Sequence, residues 1–377
     1  MKIAVNTRFL LPNNLEGIGW FTYEVFKRLC QKHPEIEWVF IFDRSYDPSF
    51  IFSDNIKPVV IGPPSRHPIL WYLWFEFSIP KVLKKEKPDL FISTDGYLSL
   101  KTDCPSLSVI HDINFEHNPE NIPKTARKYL RKYFPKFAKK ALRIATVSEF
   151  SKLDISKTYS INPEKIDLVY NGTGDFFHPL TKEKAIQVRL ELSGNSPYFI
   201  FVGALNPRKN ITGMLEAYSL YREEGGNNKF VIVGKKMFWN EEISKTYENH
   251  PFKEDIIFTG RLEGDALNSI LGAAEALLFV SNFEGFGIPI VEAFKCKVPV
   301  ITSSTSSMPE VAGDAAIICD PNDIKGIYKA MHDVSIPEIK NPLIEKGVKR
   351  QELFTWENSA DMMWKSIQTC FLEINGK

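Results

Sequence analysis

Short apolar runs recur along almost the whole chain, each followed by a stretch of helical periodicity. This alternation constrains the fold more than any other feature. The first series is "KIAVNTRF" at the amino terminus, "EWVFIF" (37–42), "DLFIS" (89–93), "SLSVI" (106–110), "RIATVS" (143–148) and "KIDLVY" (165–170). The second is "YFIFVG" (198–203), "KFVIVG" (229–234), "DIIFTG" (255–260), "ALLFV" (276–280), "VPVIT" (298–302) and "AAIIC" (315–319). These runs are β-rich and apolar at successive positions, so both faces of each are buried, as in parallel strands covered by helices. Two such series predict an α/β protein of two doubly wound, Rossmann-like domains. A length of 377 residues agrees with two cores. The seam is expected in "NGTGDFFHPLTKEK" (171–184), rich in Gly, Pro and polar residues. The domains are therefore drawn at 1–178 and 179–355, followed by an amphipathic helix in 356–377.

Several classes are excluded. No run reaches the ~18 apolar residues of a membrane span, and the amino terminus reads as a buried strand rather than a signal peptide. The cysteines, Cys30, Cys104, Cys296, Cys319 and Cys370, are odd in number and none pairs in CxxC spacing, which fits a reducing cytoplasmic setting without disulfides or zinc. There is no P-loop, no HExxH and no GxSxG elbow. No Asp-x-Asp occurs, so metal-assisted binding of a sugar nucleotide through paired aspartates has no support and no metal is expected. The net charge of +1 is unevenly spread: residues 1–178 carry 25 basic and 20 acidic side chains, the remainder 22 and 26.

Ligands of open parallel sheets bind beyond the carboxyl ends of the strands, and the polar motifs lie there. "FEGFGIPIVEAF" (283–294) follows one strand. Pro289 suits a first helical turn, so a helix should begin near Ile288. Gly285 and Gly287 admit close backbone approach, and free N–H groups at the helix start attract an anion. Glu292 in that first turn either accepts hydrogen bonds from hydroxyls or only favours the helix dipole. "VGALNPRKN" (202–210) puts Arg208 and Lys209 before another helix, suited to a diphosphate or simply solvated. "LEGIGWFTYEVF" (15–26) is a Gly-x-Gly helix entry, with Thr22 where a dinucleotide fingerprint has its third glycine. "SVIHDINF" (108–115) sets His111 and Asp112 after a strand, in a catalytic or a structural part, Asp112 orienting the His or capping the next turn.

The run "KTARKYLRKYFPKFAKKALR" (124–143) holds nine Lys or Arg and no acid. Tyr129, Tyr133, Phe134 and Phe137 are interleaved, and Pro135 should start a second helix or kink the first. The run is either a solvated helix pair with inward aromatics or a docking surface for an anionic membrane. "ILWYLWFEF" (69–77) would support docking, although Leu70, Leu73, Trp74 and Phe77 share a helical face that burial explains as well.

In this order the motifs resemble family-4 retaining glycosyltransferases of the GT-B fold, over nearly the whole chain, with most likeness to bacterial mannosyltransferases that build surface polysaccharides such as lipopolysaccharide. "EGFGIPIVEAF" resembles the family's Glu-x7-Glu element. "VGALNPRKN", "VIVG", "IIFTGRL", "TSSMPEVAGDAAIICDP" and "FTWENSA" follow the family's order, as do "GIG", "HD", "VSEFSK" and "YNGTGDFFHP" in the first half. The resemblance implies two facing domains with the active site in the cleft between them, an acceptor-binding first domain, a nucleotide-sugar-binding second domain and a last helix that crosses back to the first. Glu284 would contact donor sugar hydroxyls and Glu292 the ribose, and Phe286, Gly287 and Ile288 would line sugar and diphosphate. Arg208 and Lys209 would hold the diphosphate. Gly203, Gly234, Arg261 and Leu262 would frame the nucleotide, Gly17 and Gly19 would approach the phosphate, and His111 would lie near the transferred sugar.

The implied donor is a nucleotide-diphosphate hexose, with GDP-mannose favoured, and the implied acceptor a growing saccharide or lipid-linked saccharide. No cofactor and no nucleic acid are expected, and the enzyme would be cytoplasmic, peripheral at the inner face of the plasma membrane through 124–143. Competing readings are a sugar-nucleotide epimerase or phosphorylase of similar fold, and a non-catalytic sugar-nucleotide-binding protein docked at a membrane. A retaining glycosidase is disfavoured, because its carboxylates must flank one bond.

Overall fold

The computed structural model describes residues 1–12, 15–236 and 239–376. The chain divides into two compact units. One comprises Met1–Gly172 and the chain from Trp356 onward, the other Thr173–Thr355.

In the first unit, β1 (Lys2–Asn6), β2 (Glu37–Phe42), β3 (Ile56–Val60), β4 (Leu90–Ser93), β5 (Ser106–Val109), β6 (Arg143–Thr146) and β7 (Ile166–Leu168) form one sheet in the order β3-β2-β1-β4-β5-β6-β7. Every pairing is parallel. Val5 on β1 stands beside Phe40 on one side and Ile92 on the other, and all three are fully buried, as the continuous apolar runs require. Strand β3 was not legible in the sequence. It carries Pro58, which the sheet tolerates because β3 is an edge strand.

The last helix, Trp356–Asn375, packs on the helix Gly17–Lys32 of the same unit. Arg28 Nε donates to Glu357 at 2.6 Å, Lys32 Nζ to Asp361 at 2.7 Å, and the His33 ring stacks on Trp364 at 3.6 Å. Further along, Arg143 bridges Asp167 (Nε, 2.8 Å) and Glu373 (Nη1, 2.7 Å).

Two expectations are corrected. Of the two outcomes expected of Pro135, the start of a second helix does not occur: one helix runs Lys124–Lys140 through it, with Phe134 and Phe137 buried. The 69–77 stretch is not one regular helical face. The helix Pro68–Leu73 widens into a π-helical turn, Trp74–Ser78, before continuing as Ile79–Glu86. The wider turn shifts the angular positions of the side chains. Trp74 is buried, whereas Leu73 is 39% and Phe77 52% exposed, with Ile69 at 65%. Burial therefore does not account for this ridge.

In the second unit, β8 (Tyr198–Val202), β9 (Lys229–Val233), β10 (Ile256–Gly260), β11 (Ala276–Phe279), β12 (Val300–Ser303) and β13 (Ala316–Cys319) form a parallel sheet in the order β10-β9-β8-β11-β12-β13. This repeats the 3-2-1-4-5-6 order of the first six strands of the other unit. In each sheet the winding reverses between the first and fourth strands, and the loops leaving those two strands diverge to open a crevice. Three adjacent strands of the second sheet end in or are directly followed by glycine. Gly203 N donates to Val233 O at 2.9 Å, and Gly234 N to Gly260 O at 2.8 Å. A Cβ on Gly234, whose φ is +153°, would stand 1.8 Å from Gly203 O. Only a bare backbone fits there.

Gly234→Ala should therefore lower stability by about 2–4 kcal/mol through strain and overlap together. Gly194→Ala has a positive φ of +64° but open space around it, so it should cost only about 1–2 kcal/mol. Thermal or urea unfolding of both variants checks the difference.

Candidate active site

The crevice of the second unit lies between the loop after β8 and the loop after β11. The β8 loop turns through a single 3₁₀ turn, Pro207–Lys209, then Asn210 at φ +55° leads into the helix Ile211–Glu223. Asn210 Nδ2 donates to Val280 O (3.1 Å) and Pro321 O (2.9 Å), tying this loop to its neighbours. Arg208 and Lys209 project from it. The β11 loop ends at Gly287, whose φ of +101° a side chain would strain, and the helix Ile288–Lys295 starts there with Pro289 in its first turn.

The two loops meet at Glu284. Lys209 Nζ donates to Glu284 Oε1 at 2.5 Å and Arg208 Nη1 to Oε2 at 2.8 Å, and the same Nη1 reaches Phe283 O at 2.5 Å. Glu284 is 7% and Lys209 8% exposed. Burial pushes the carboxyl up, but the two cations outweigh it and hold Glu284 down at about 2, ionised at any ordinary pH. Two serines after β12 immobilise the backbone. Ser306 Oγ accepts from Glu284 N at 2.9 Å, and fully buried Ser307 lies with its Oγ 2.9 Å from both Glu284 O and Phe286 O.

Glu292 contrasts with Glu284. It is half-buried on the helix Ile288–Lys295, and among the described residues no hydrogen bond or ion pair holds its carboxylate. Burial alone pushes its carboxyl up to about 8. The remaining residues expected to hold a donor are spread along the same strand ends. Gly203 and Gly234 directly follow β8 and β9, and Arg261, ion-paired with Glu263, and half-buried Leu262 follow β10. Gly285 and Phe286 are buried, Phe286 against Phe354 at 5.3 Å, while Ile288 is half-buried.

In the first unit the corresponding crevice lies between the loops after β1 and β4. His111 follows β5, and its Nε2 lies 3.1 Å from Thr94 O. A carbonyl only accepts, so Nε2 carries the proton. Burial lowers the pKa, so the ring is neutral and Nδ1 keeps an acceptor lone pair. The Phe21 ring meets His111 edge-on at 5.1 Å. Asp112 does not orient this ring. Its Oδ1 accepts from Asn114 N at 2.9 Å and caps the next turn. Gly19 is sterically required, since a Cβ would stand 2.8 Å from Phe9 O, whereas among the described residues nothing crowds Gly17.

Sequence reading missed the polar centre of this crevice. Arg8 Nε donates to Asp95 Oδ2 at 2.5 Å, and the same carboxylate accepts from Asn6 Nδ2 (3.0 Å), Ser93 Oγ (3.0 Å) and Tyr97 N (3.2 Å). Its only sequence signal was polar residues directly after a strand, "NTR" and "STDG". Ser306 and Ser307 were also passed over, because a serine reads as an ordinary turn residue.

Comparison with known proteins bears on the family and the fold. The profile of Glycosyltransferase Family 4 matches residues 15–173, and that of Glycosyl transferases group 1 matches residues 182–348. The chain belongs to the family-4 glycosyltransferases. It is 28% identical to O-antigen chain mannosyltransferase B of Escherichia coli over 367 residues, which cover 91% of this chain and 93% of that protein. It is 25% identical to O-antigen chain mannosyltransferase RfbU of Salmonella typhimurium, over 71% of each. Among solved structures, HepE of Anabaena in complex with UDP-glucose superposes with a TM-score of 0.76 at 15% identity, over 98% of this chain and all of that one. Like such glycosyltransferases, the chain has the GT-B fold of two Rossmann-like domains. Among the described residues no helix is long and apolar enough to cross a membrane.

The raised pKa of Glu292 has a consequence for the enzyme's stability. Below its ordinary value near 4.5 the group is protonated whether the chain is folded or not. As pH rises towards 8 the unfolded chain ionises Glu292 and the folded chain does not, so stability is lost through that window. Glu292→Gln should abolish this loss and become more stable than the parent between about pH 6 and 9. Melting curves across that range check it, and equal slopes would show that Glu292 does not carry the effect.

Proposed function

We propose that this glycosyltransferase moves mannose from GDP-mannose to a growing saccharide or lipid-linked saccharide, with retention of anomeric configuration and without a metal ion. The observation that carries the donor assignment is the meeting of Arg208 and Lys209 at Glu284, beside a glycine-led helix start at the winding reversal of the sheet. Two cations and the positive end of a helix suit a diphosphate. The mannose and the saccharide acceptor rest on the likeness to the two O-antigen chain mannosyltransferases, and the nucleotide-sugar class on the UDP-glucose bound by HepE.

In this reading, the bond from the anomeric carbon to the diphosphate oxygen breaks as the acceptor hydroxyl attacks on the same face. Arg208, Lys209 and the helix start stabilise charge on the departing oxygen, the work a metal does elsewhere. The departing phosphate takes the acceptor's proton. Glu284 accepts from hydroxyls of the sugar and Glu292 from the ribose, with Gly203, Gly234, Arg261 and Leu262 along the nucleotide. Neutral His111 offers Nδ1 to a sugar hydroxyl, and Gly17 and Gly19 leave room for the phosphate. A thermal-shift screen of UDP-, GDP-, ADP- and dTDP-sugars, followed by transfer in excess EDTA, tests this. GDP-mannose should raise Tm most, and an α-mannoside should form in EDTA. An inverted product, or a strict need for Mg²⁺ or Mn²⁺, overturns the mechanism.

The same proposal includes peripheral attachment to an anionic membrane. The exposed ridge Ile69, Leu73 and Phe77 adjoins the basic helix Lys124–Lys140, with Trp71 against Tyr129 at 5.5 Å and Tyr72 against Tyr133 at 5.9 Å. The aromatics of that helix face inward and Lys128, Arg131, Lys132 and Lys136 face out. Apolar side chains beside a cationic face suit an anionic lipid interface. Replacing Lys128, Lys132 and Lys136 by Glu should abolish sedimentation with anionic liposomes, and Leu73→Ser with Phe77→Ser should weaken it. Unchanged sedimentation of both variants would leave only a solvated helix.

A further inference from the structure

The arrangement at Glu284 implies a competition. Its carboxylate already occupies Arg208 and Lys209, the same cations assigned above to the donor's diphosphate. Those donors cannot serve both anions at full strength. We propose that Glu284 is an internal counter-anion that the diphosphate displaces, and that displacement frees the carboxylate to bind the hydroxyls of the transferred sugar. This inference rests on the donor-site assignment and adds an order to it: phosphate contact first, sugar contact second.

Three features of the geometry support a moving side chain on a fixed backbone. The peptide of Glu284 is pinned from both sides by Ser306 and Ser307, and Asn282 N donates to Arg208 O at 2.9 Å, so the two loops stay joined when the carboxylate leaves. Among the described residues the carboxylate itself is held through the two cationic side chains alone, one per oxygen. The contrast within the chain is Asp95. It occupies the equivalent winding reversal of the other unit and also faces an arginine, but it is held by four donors, one of them a backbone N–H. Asp95 is built to stay, whereas Glu284 can be exchanged for another anion.

Inorganic pyrophosphate is the probe, because it offers the diphosphate without sugar or base. Glu284→Gln keeps the shape of the side chain and removes the competing charge. Calorimetry at fixed ionic strength should find pyrophosphate bound about tenfold more tightly by Glu284→Gln than by the parent, the gain expected when a charge-assisted hydrogen bond no longer has to be broken. Turnover of the full sugar nucleotide should fall in the same variant. Equal or weaker pyrophosphate binding by the variant overturns the displacement while leaving the donor site in place. Binding by neither protein overturns the donor-site assignment as well. A second readout holds if Glu284→Gln does not fold. In protein labelled with ¹³C at the glutamate carboxyl carbons, the Glu284 resonance, identified by its absence from Glu284→Asp, should shift when pyrophosphate saturates the parent. No shift overturns the proposal.

Discussion

One buried carboxylate shared by two cations organises the winding reversal of the second sheet. Glu284 joins the loop after β11 to the loop after β8, and its charge allows Arg208 and Lys209 to be held in a site largely withdrawn from water. Removing one partner of a buried pair leaves an uncompensated charge, a loss of about 3–5 kcal/mol. The surrounding devices follow from that constraint. The serines after β12 hold the peptide of Glu284, Gly287 turns the chain into its helix, and Asn210 fastens the cationic loop.

The same solution appears at both winding reversals. In each sheet an arginine on the loop after the first strand meets a carboxylate from the loop after the fourth: Arg8 with Asp95, and Arg208 with Glu284. The topology explains the recurrence. Loops that diverge from adjacent strands expose the ends of both, and opposite charges across the gap close it without a covering helix. The two pairs differ in how firmly the carboxylate is held. The Arg8 guanidinium is further enclosed by the Tyr97 and Phe75 rings at 4.5 and 5.1 Å. The first pair is thus a fixed part of the core, and the second leaves its anion exchangeable.

The ridge at residues 69–77 carries a related lesson about helical geometry. A regular helix would have set Leu73, Trp74 and Phe77 on one face against the core. The π-helical turn at Trp74–Ser78 keeps Trp74 inside, where Nε1 donates to Ile61 O at 2.7 Å, and turns Leu73 and Phe77 outward beside a cationic helix. A local change in helical pitch thereby produces a surface of mixed apolar and basic character.

Much of this protein was determined by its sequence alone. The two series of apolar runs specify parallel strands, because only a strand buried on both faces needs consecutive apolar residues. Gly287 with Pro289 specifies a helix start, because φ and ring geometry are local properties of those residues. The edge strand β3 escaped notice because Pro58 argues against a strand until its place at the edge of the sheet is known. Tertiary structure alone decided which charges meet. Glu284 lies 75 residues from Lys209 and Asp95 lies 87 from Arg8, and no local pattern records such a pairing. It also decided the ionisation of the two glutamates in "EGFGIPIVEAF". Eight positions apart on one motif, one is held near 2 by two cations and the other is raised to about 8 by burial without a partner. The difference arises because a carboxyl's proton affinity follows the charges and solvent around it, and those are supplied by loops distant in sequence.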